Sequence, residues 1–390
     1  MKRIAISLLA LMTSMACSHA SDPGSRSALT SPEVIKPLML KTFKYQVAEQ
    51  AKKKADGGWI RAAFYTGVIA AYRATDDPVY FNQAMDWAEN QGHWGPSKGD
   101  WRFADNYCNA QVYCELYEMK QDPKMIAASR ANFDRIVAHP KPGRVDWWWC
   151  DSLYMGPPAF VRMSAVTGDR KYVDYMDGMY WDSVDFLYNP QYQLFFRDKN
   201  YFSGKTANGQ PIFWSRGNGW VHAGLARILQ YLPANYPTRP KYVELFKDMS
   251  DKLIALQGAD GLWRSSLLDA EEFPMPETSG SAFFTFGLAW GINHHLLDRD
   301  IYLPHVLRGY AGLCAMVDGE GKLTHVQKVA GAPGKVNPQD THEYAVGAFL
   351  QASAEMLKLK PTAKEEADAM QGYTPPARPT TRPTATAAKD

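Results

Sequence analysis

A turn pattern that recurs along the chain limits the fold more strongly than any other feature of this sequence. The segments TDDPVYF (75–81), KQDPKMI (120–126), TGDRKYV (167–173) and LDRDIYL (297–303) each place an acid or a proline just before a new amphipathic segment. An aspartate caps a helix N-terminus and a proline suits its first turn, so each segment predicts a tight turn into a helix. YPTRPKYVELF (236–246) fits the same pattern more loosely.

The segments on both sides of these turns have the apolar periodicity of helices. Together with an opening segment at 34–54 and a last segment, EYAVGAFLQASAEMLKL, they predict about twelve helices in two alternating classes. One class is rich in Ala, Gly and aromatics, as expected for burial on nearly all sides, and the other is more charged. Inner and outer helices in alternation predict an all-α (α/α)6 barrel of six helical hairpins over residues 35–360. Strand-like runs are few, and the best is QYQLFFRDKNYF (191–202).

The connections are asymmetric, because turns into outer helices are short and loops into inner helices are long. Long loops in a compact domain are functional or disordered, and these contain Trp, Asp, Arg, Asn and Ser, so we expect function. All of them enter inner helices, so they are predicted to meet at one end of the barrel and form the active face there. The loops lie at roughly 91–105, 139–156, 189–217, 258–281 and 317–341.

The N-terminus predicts export. Residues 1–20 have a basic start, an apolar run and a small-residue exit, which is the pattern of a secretory signal peptide cleaved near Ala20. The apolar run is too short to span a membrane, so we expect a periplasmic or secreted protein. Lipidation at Cys17 is the alternative, but Ser14 stands where a lipoprotein signal usually has leucine.

Residues 21–34 are predicted to be a linker, and the Pro/Thr/Ala-rich residues 361–390 a disordered tail. With 43 basic and 41 acidic residues, the formal net charge is +2, and no basic stripe indicates nucleic-acid binding. No later segment is apolar enough to span a bilayer. No Cys/His ligand cluster, GxGxxG, Walker or HExxH pattern is present, so we predict neither a metal nor a cofactor.

The segment VDWWWCDSLYMGPP (145–158) places Trp147, Trp148 and Trp149 beside Asp151. Adjacent side chains cannot all face one core, so at least one indole is expected to be exposed or to line a cavity. Asp151 is either a helix cap or a general acid whose pKa is raised by a hydrophobic wall.

Asp105 in RFADNYCNAQ also lies at the start of an inner helix, where it is either a cap or a second carboxylate that converges with Asp151. Two further motifs enter inner helices and carry candidate sugar contacts. In FWSRGNGW (213–220), Arg216 could bind a carboxylate in bidentate fashion or form an internal salt bridge. The other candidates that these motifs display are Trp214, Asn218, Trp220 and, in PETSGSAFF, Thr278, Ser279 and Ser281, where one hydroxyl is expected to cap the helix.

Several of these motifs are found together in one enzyme family. ADNYCNAQVYCELYEM, WWCDSLYMGPPAFVRM, FWSRGNGW, PETSGSAFFTFGLAWGI and HEYAVGAFLQASAEM resemble glycoside hydrolase family 105, the unsaturated rhamnogalacturonyl hydrolases, over residues from about 40 to 358. The sequence is also similar to the related unsaturated glucuronyl hydrolases of family 88. The resemblance implies a six-hairpin barrel that removes a terminal 4,5-unsaturated uronic acid from lyase-generated oligosaccharides.

The resemblance also implies a mechanism, which is hydration of the C4=C5 enol ether. An aspartate protonates C4 and then assists water attack at C5, after which the hemiketal opens and releases the remaining glycan. The family's catalytic aspartate falls on Asp151 and a second, sugar-contacting aspartate on Asp105. The arginine and tryptophan near the uronate fall on Arg216 and Trp220.

One departure from the family concerns two histidines. Members often carry one shortly before the catalytic aspartate and another after the third hairpin, where this chain reads VDWWW and LFFRDKNYF. Arg197 and Asp198 are predicted to substitute, with Arg197 contacting substrate. The leaving sugar therefore stays open between rhamnose and the neighbours found in ulvan, glycosaminoglycan or arabinogalactan fragments. The alternatives are an inverting glycosidase on saturated glycans that uses Asp105 and Asp151, and a non-catalytic sugar-binding barrel.

Overall fold

Six helices form a closed inner ring in the computed structural model, which describes residues 29–379. Each packs against the next, and the last, α15, packs against the first, α2. The members are α2 (Trp59–Thr75), α5 (Ala110–Lys120), α9 (Pro157–Thr167), α11 (Ser215–Leu229), α13 (Thr278–Asn293) and α15 (Glu343–Leu359).

Six further helices, which are more charged, surround this ring, and each packs mainly on one inner helix. They are α1 (Pro32–Ala51), α3 (Pro78–Asn90), α6 (Lys124–Ala138), α10 (Lys171–Leu187), α12 (Arg239–Ala255) and α14 (Arg299–Ala315). Because α1 packs against α15, the two ends of the barrel sequence form the sixth hairpin. The predicted (α/α)6 barrel with twelve alternating helices is confirmed.

The recurring turns act as predicted. The side chains of four aspartates accept hydrogen bonds from backbone N–H groups in the first turn of the following outer helix, at 2.9 to 3.1 Å. Such a cap satisfies a donor that the helix itself leaves free. The four residues are Asp77, Asp122, Asp169 and Asp298.

Burial separates the two rings as the composition indicated. Every residue of α11 is buried, whereas outer helices such as α12 bury one face. The inner helices approach closely where small residues meet: a Cβ on Gly67 of α2 would lie 2.1 Å from the carbonyl oxygen of Gly347 on α15. Any side chain at Gly67 would therefore separate two helices of the ring.

Short elements occupy the long loops. The antiparallel strands β1 (Tyr188–Asn189) and β2 (Leu194–Phe195) pair in the region where a strand was predicted, and a 3-10 helix follows at Lys199–Tyr201. Three short helices precede the inner helices, namely α4 (Ala104–Tyr107), α7 (Gly143–Asp146) and α8 (Ser152–Met155).

Both predicted chain-end boundaries need correction. The first helix begins at Pro32, inside the predicted linker 21–34. Residues 361–379 are not a disordered tail, because α16 (Ala363–Ala369) packs against α14 and its N-terminus has a capping box formed by Thr362 and Glu365. Arg299 pairs with Glu365 at 2.9 Å. A short helix such as α16 needs few apolar residues when ion pairs and a capping box hold it in place. Amino-acid composition does not reveal such contacts.

Residues 1–28 and 380–390 lie outside the described residues, and with them the predicted signal peptide, Ala20, Cys17 and the end of the tail. Between Leu29 and Pro379, no helix has the length and apolar character that crossing a membrane requires.

Candidate active site

The long loops meet at the end of the barrel where the inner helices begin, and contacts connect neighbouring loops around the mouth. Arg102 pairs with Asp146, and the Cys150 N–H donates to the Arg197 carbonyl at 2.8 Å. The Trp214 indole N–H donates to Gln327 Oε1 at 2.7 Å. These contacts order the loops and place the candidate residues on one surface.

Asp151 does not cap a helix. It precedes α8, but its side chain accepts no capping hydrogen bond and is only 14% exposed. Its Oδ2 lies 3.7 Å from Arg197 Nε and 3.5 Å from the Cys150 sulfur. Burial raises the pKa of Asp151, and the charges of Arg197 and Arg216 oppose that rise. A carboxyl whose pKa is raised holds its proton to a higher pH than an exposed aspartate does, which suits a general acid.

Asp105 is not a cap either. It lies in the first turn of α4, after the N-cap position held by Phe103, and its Oδ1 is buried without a hydrogen-bond partner. Burial and the Asp151 charge raise the pKa of Asp105 to about 7, against the opposing effect of Arg197. Because α4 packs against α8, the two aspartates lie on adjacent turns. When two carboxyls with little access to water repel each other, the pKa of at least one of them rises and it keeps its proton to a higher pH.

The tryptophan run divides its three indoles between core and surface. Trp147 is buried and donates from Nε1 to the Tyr107 hydroxyl at 2.9 Å. Trp149 is buried and stacks on Phe103, with ring centroids 4.7 Å apart. Trp148 is 38% exposed and leans on Trp149 at 4.9 Å. Trp148 is therefore the indole of the run that can stack on a sugar.

Arg197 links the exposed indole to the acid. Its guanidinium lies 5.2 Å from the Trp148 ring centre, and its Nη1 donates to Asp198 Oδ2 at 2.7 Å. Its Nε is buried and makes no hydrogen bond within the described residues. The side chain is 24% exposed, so it stands at the surface of the site beside Asp151.

Arg216 is buried and faces the protein. Its Nη1 and Nη2 donate to the carbonyls of Gln327 and Lys328, each at 2.8 Å, so the expected bidentate contact goes to backbone oxygens. The guanidinium also lies 4.4 Å from the Trp214 ring centre and 5.0 Å from that of Tyr344. Neither alternative from the sequence describes this arrangement, since Arg216 holds a loop and acts on Asp151 through its charge.

The other candidates from the two helix-entry motifs are also internal. The Asn218 amide donates to the carbonyls of Phe195 and Trp214 and accepts from the Phe195 N–H. Trp220 is buried among aromatic rings, with centroid distances of 4.3 Å to Phe283 and 4.7 Å to Tyr154. Trp214, Asn218 and Trp220 are all buried, so none of them is displayed on the surface of the site as the sequence predicted.

Ser279 is likewise buried, and the cap of α13 is a different residue from the expected hydroxyls. Glu277 is the N-cap, and its carboxylate accepts from the N–H groups of Ser279 and Gly280 and from the Ser279 hydroxyl. It also accepts from the Gln327 N–H at 3.1 Å. Glutamate is not a preferred N-cap, so the PETSGSAFF motif contains no signal for this cap.

Gln327, which the sequence analysis did not single out, connects this cap to the site. Its side-chain oxygen accepts a hydrogen bond from the Trp214 indole N–H, and its backbone carbonyl accepts from Arg216 Nη1 and from the Tyr344 hydroxyl. Glu277 therefore fixes the loop that in turn fixes Arg216. Within residues 29–379, no group of three or more His, Cys, Asp or Glu side chains is arranged to hold a metal ion.

Comparison with known proteins agrees with this geometry. The family model described as Glycosyl Hydrolase Family 88 matches residues 33–360. Two curated relatives are named unsaturated 3S-rhamnoglycuronyl hydrolase. The one from Alteromonas sp. (strain LOR) is 34% identical over 80% of this chain and 80% of its own length. The one from Formosa agariphila is 33% identical over 92% of this chain and 100% of its own length.

Solved structures share the fold. A protein named as a polysaccharide lyase is 31% identical, with a TM-score of 0.79, covering 83% of this chain and 97% of its own. A family 88 glycosyl hydrolase from Bacteroides vulgatus is 30% identical, with a TM-score of 0.77, covering 83% and 99%. A possible family 105 member from Salmonella enterica, at 17% identity and a TM-score of 0.72, covers 84% and 95% and shows the fold alone. The resemblance seen in the sequence is confirmed, and the chain is a glycoside hydrolase that belongs to glycosyl hydrolase family 88.

Proposed function

We propose that this enzyme removes a terminal 4,5-unsaturated uronic acid from oligosaccharides by adding water across the C4=C5 double bond. Membership of family 88 and the names of the two curated relatives support this reaction. The observation that carries it is the largely buried pair of Asp105 and Asp151, neither of whose side chains caps a helix.

The chemistry of the pair fits hydration of an enol ether. Asp151 gives its proton to C4, and the resulting carboxylate accepts a proton from the water whose oxygen bonds to C5. The product at C5 is a hemiketal, which opens and releases the remaining glycan. Asp105 Oδ1 and Arg197 Nε are buried and make no hydrogen bond within residues 29–379, and such atoms are expected to find hydrogen-bond partners in the bound sugar.

We further propose that the leaving sugar is a 3-sulfated rhamnose. Both curated relatives are named unsaturated 3S-rhamnoglycuronyl hydrolase, and we interpret 3S as a sulfate on O3 of the rhamnose. A 6-deoxy sugar has an extended apolar face, and Trp148 offers the exposed indole on which such a face can stack. Arg197 is the cation beside that indole.

The decisive experiment follows the ultraviolet absorbance of the conjugated double bond in lyase-generated oligosaccharides. We expect the absorbance to fall on addition of enzyme, and Asp151→Asn to abolish the fall while the protein stays folded. Asp185→Asn, which changes an exposed aspartate on α10, is the matched control and should keep full activity. Retained activity in Asp151→Asn would contradict the assignment of the acid.

The same assay separates the alternatives. A polysaccharide lyase, the second candidate because one solved relative is named so, would raise the absorbance of an intact polymer. An inverting glycosidase would turn over saturated glycans, and a sugar-binding barrel would bind without turnover. Sulfated and desulfated versions of one disaccharide test the leaving sugar, and equal kcat/KM on both would contradict the proposed sulfate preference.

A further inference from the structure

Cys150 directly precedes Asp151 and is fully buried. Its sulfur lies 3.5 Å from Asp151 Oδ2, within range of an S–H···O hydrogen bond. Burial and the charge of Asp151 raise the pKa of the Cys150 thiol well above its usual range. The thiol therefore keeps its proton at any working pH and is a donor toward the carboxylate.

Two neighbouring segments hold this thiol in place. The Cys150 N–H donates to the Arg197 carbonyl at 2.8 Å. On the other side, a Cβ on Gly217 would lie only 2.9 Å from the Cys150 sulfur, so the missing side chain of Gly217 leaves the space that the sulfur occupies. Cys150 thus joins the Asp151 loop to the Arg197 loop and to the start of α11.

We propose that Cys150 is a positioning residue for the proposed reaction, whose thiol donates to Asp151 Oδ2, fixes the orientation of that carboxyl and favours its ionised form. Within residues 29–379, it is the one side-chain donor hydrogen-bonded to Asp151. The charged groups that face Asp151 act on its pKa through their charge. They are Asp105 from α4, Arg197 from the loop after β2, with its partner Asp198, and Arg216 from α11.

The pH profile tests this role, which rests on the proposed function. If Asp151 is the acid, activity falls as pH rises through its pKa, so this carboxyl sets the alkaline limb. Cys150→Ala removes a donor that favours the ionised form, so the limb should move up by about half a pH unit, and kcat should fall roughly tenfold. Cys150→Ser keeps a hydrogen-bond donor, so its alkaline limb and its kcat should both lie closer to those of the wild type. A Cys150→Ala profile that superimposes on the wild type would overturn the proposal.

A second measurement needs neither activity nor a folded Cys150 variant. The infrared S–H stretch falls in frequency when a thiol donates to a carboxylate, so wild-type protein minus Asp151→Asn should leave one shifted band. Among the described cysteines, only Cys150 is hydrogen-bonded to Asp151, so the bands of Cys108, Cys114 and Cys314 should cancel in the difference. A flat difference spectrum would refute the hydrogen bond. A shifted band without turnover of unsaturated sugars would instead contradict the proposed function alone.

Discussion

Truncation of Trp148 tests whether the exposed indole binds the leaving sugar. A tryptophan side chain offers up to about 250 Å² of surface, and Trp148 is 38% exposed, which leaves roughly 95 Å² for a ligand. If a sugar ring covers about half of that area, burial at about 25 cal/mol per Å² contributes ~1.2 kcal/mol. Trp148→Ala should therefore lower kcat/KM about eightfold, mainly through KM.

The assay compares two unsaturated substrates. One carries the natural leaving sugar, and the other carries a small leaving group too short to reach Trp148. The loss should appear only with the first, and Trp148→Phe should recover part of it because a smaller ring still stacks.

Trp147→Phe is the matched control within the same run. It removes the hydrogen bond to Tyr107 inside the core, so it should lower the free energy of unfolding by about 1–2 kcal/mol and leave KM unchanged. Equal kinetics for Trp148→Ala and the wild type on the natural substrate would refute the assigned stacking role.

Three further changes separate catalysis, loop support and scaffold. Asp105 has its pKa raised in the folded protein, from 3.8 to about 7, so the native state binds an extra proton and its stability falls as pH rises between those values. Asp105→Asn should remove that slope, so it should be more stable than the wild type at pH 8 by on the order of 4 kcal/mol, but not at pH 3. Turnover should be lost in this variant, and thermal unfolding curves that stay parallel to those of the wild type across this pH range would contradict the reasoning. Glu277→Gln places an amide donor where the carboxylate accepts several N–H groups, so it should lower the free energy of unfolding by about 2–3 kcal/mol. Because Glu277 also holds the loop that binds Arg216, kcat should fall as well. A loss of stability with unchanged kcat would argue against that coupling. Glu115→Gln leaves the buried Arg162 and Arg227 without their carboxylate partner, so it should lower the free energy of unfolding by about 3–5 kcal/mol at pH 7. Because the pKa of Glu115 is lowered to about 2 in the folded protein, that difference should shrink in urea titrations as pH falls from about 4.5 toward 2.

The architecture could be predicted from the amino-acid sequence alone, because the signals that specify it are local. Helical periodicity and caps such as Asp77 and Asp298 act within a few residues, so they can be read without knowing the neighbours of each helix. The difference in composition between inner and outer helices reports how much of each helix is buried. Loop length then predicted which end of the barrel carries the site. Because adjacent side chains cannot all face one core, the sequence also predicted that at least one indole of the run is exposed or lines a cavity, and Trp148 is exposed.

The contacts of each site residue could not be predicted in this way, because they depend on how distant segments pack in the folded protein. Arg216 bonds to carbonyls more than a hundred residues away, and Glu277 fixes a loop fifty residues away. Trp148 is the exposed indole because Tyr107 and Phe103 engage the other two. No periodicity or propensity encodes such partners, since the free energy of these contacts arises only when distant loops close over one another. The same reason explains why α16 could not be read from a Pro/Thr/Ala-rich composition: its partners Arg299 and Arg308 lie on α14, about sixty residues earlier in the chain.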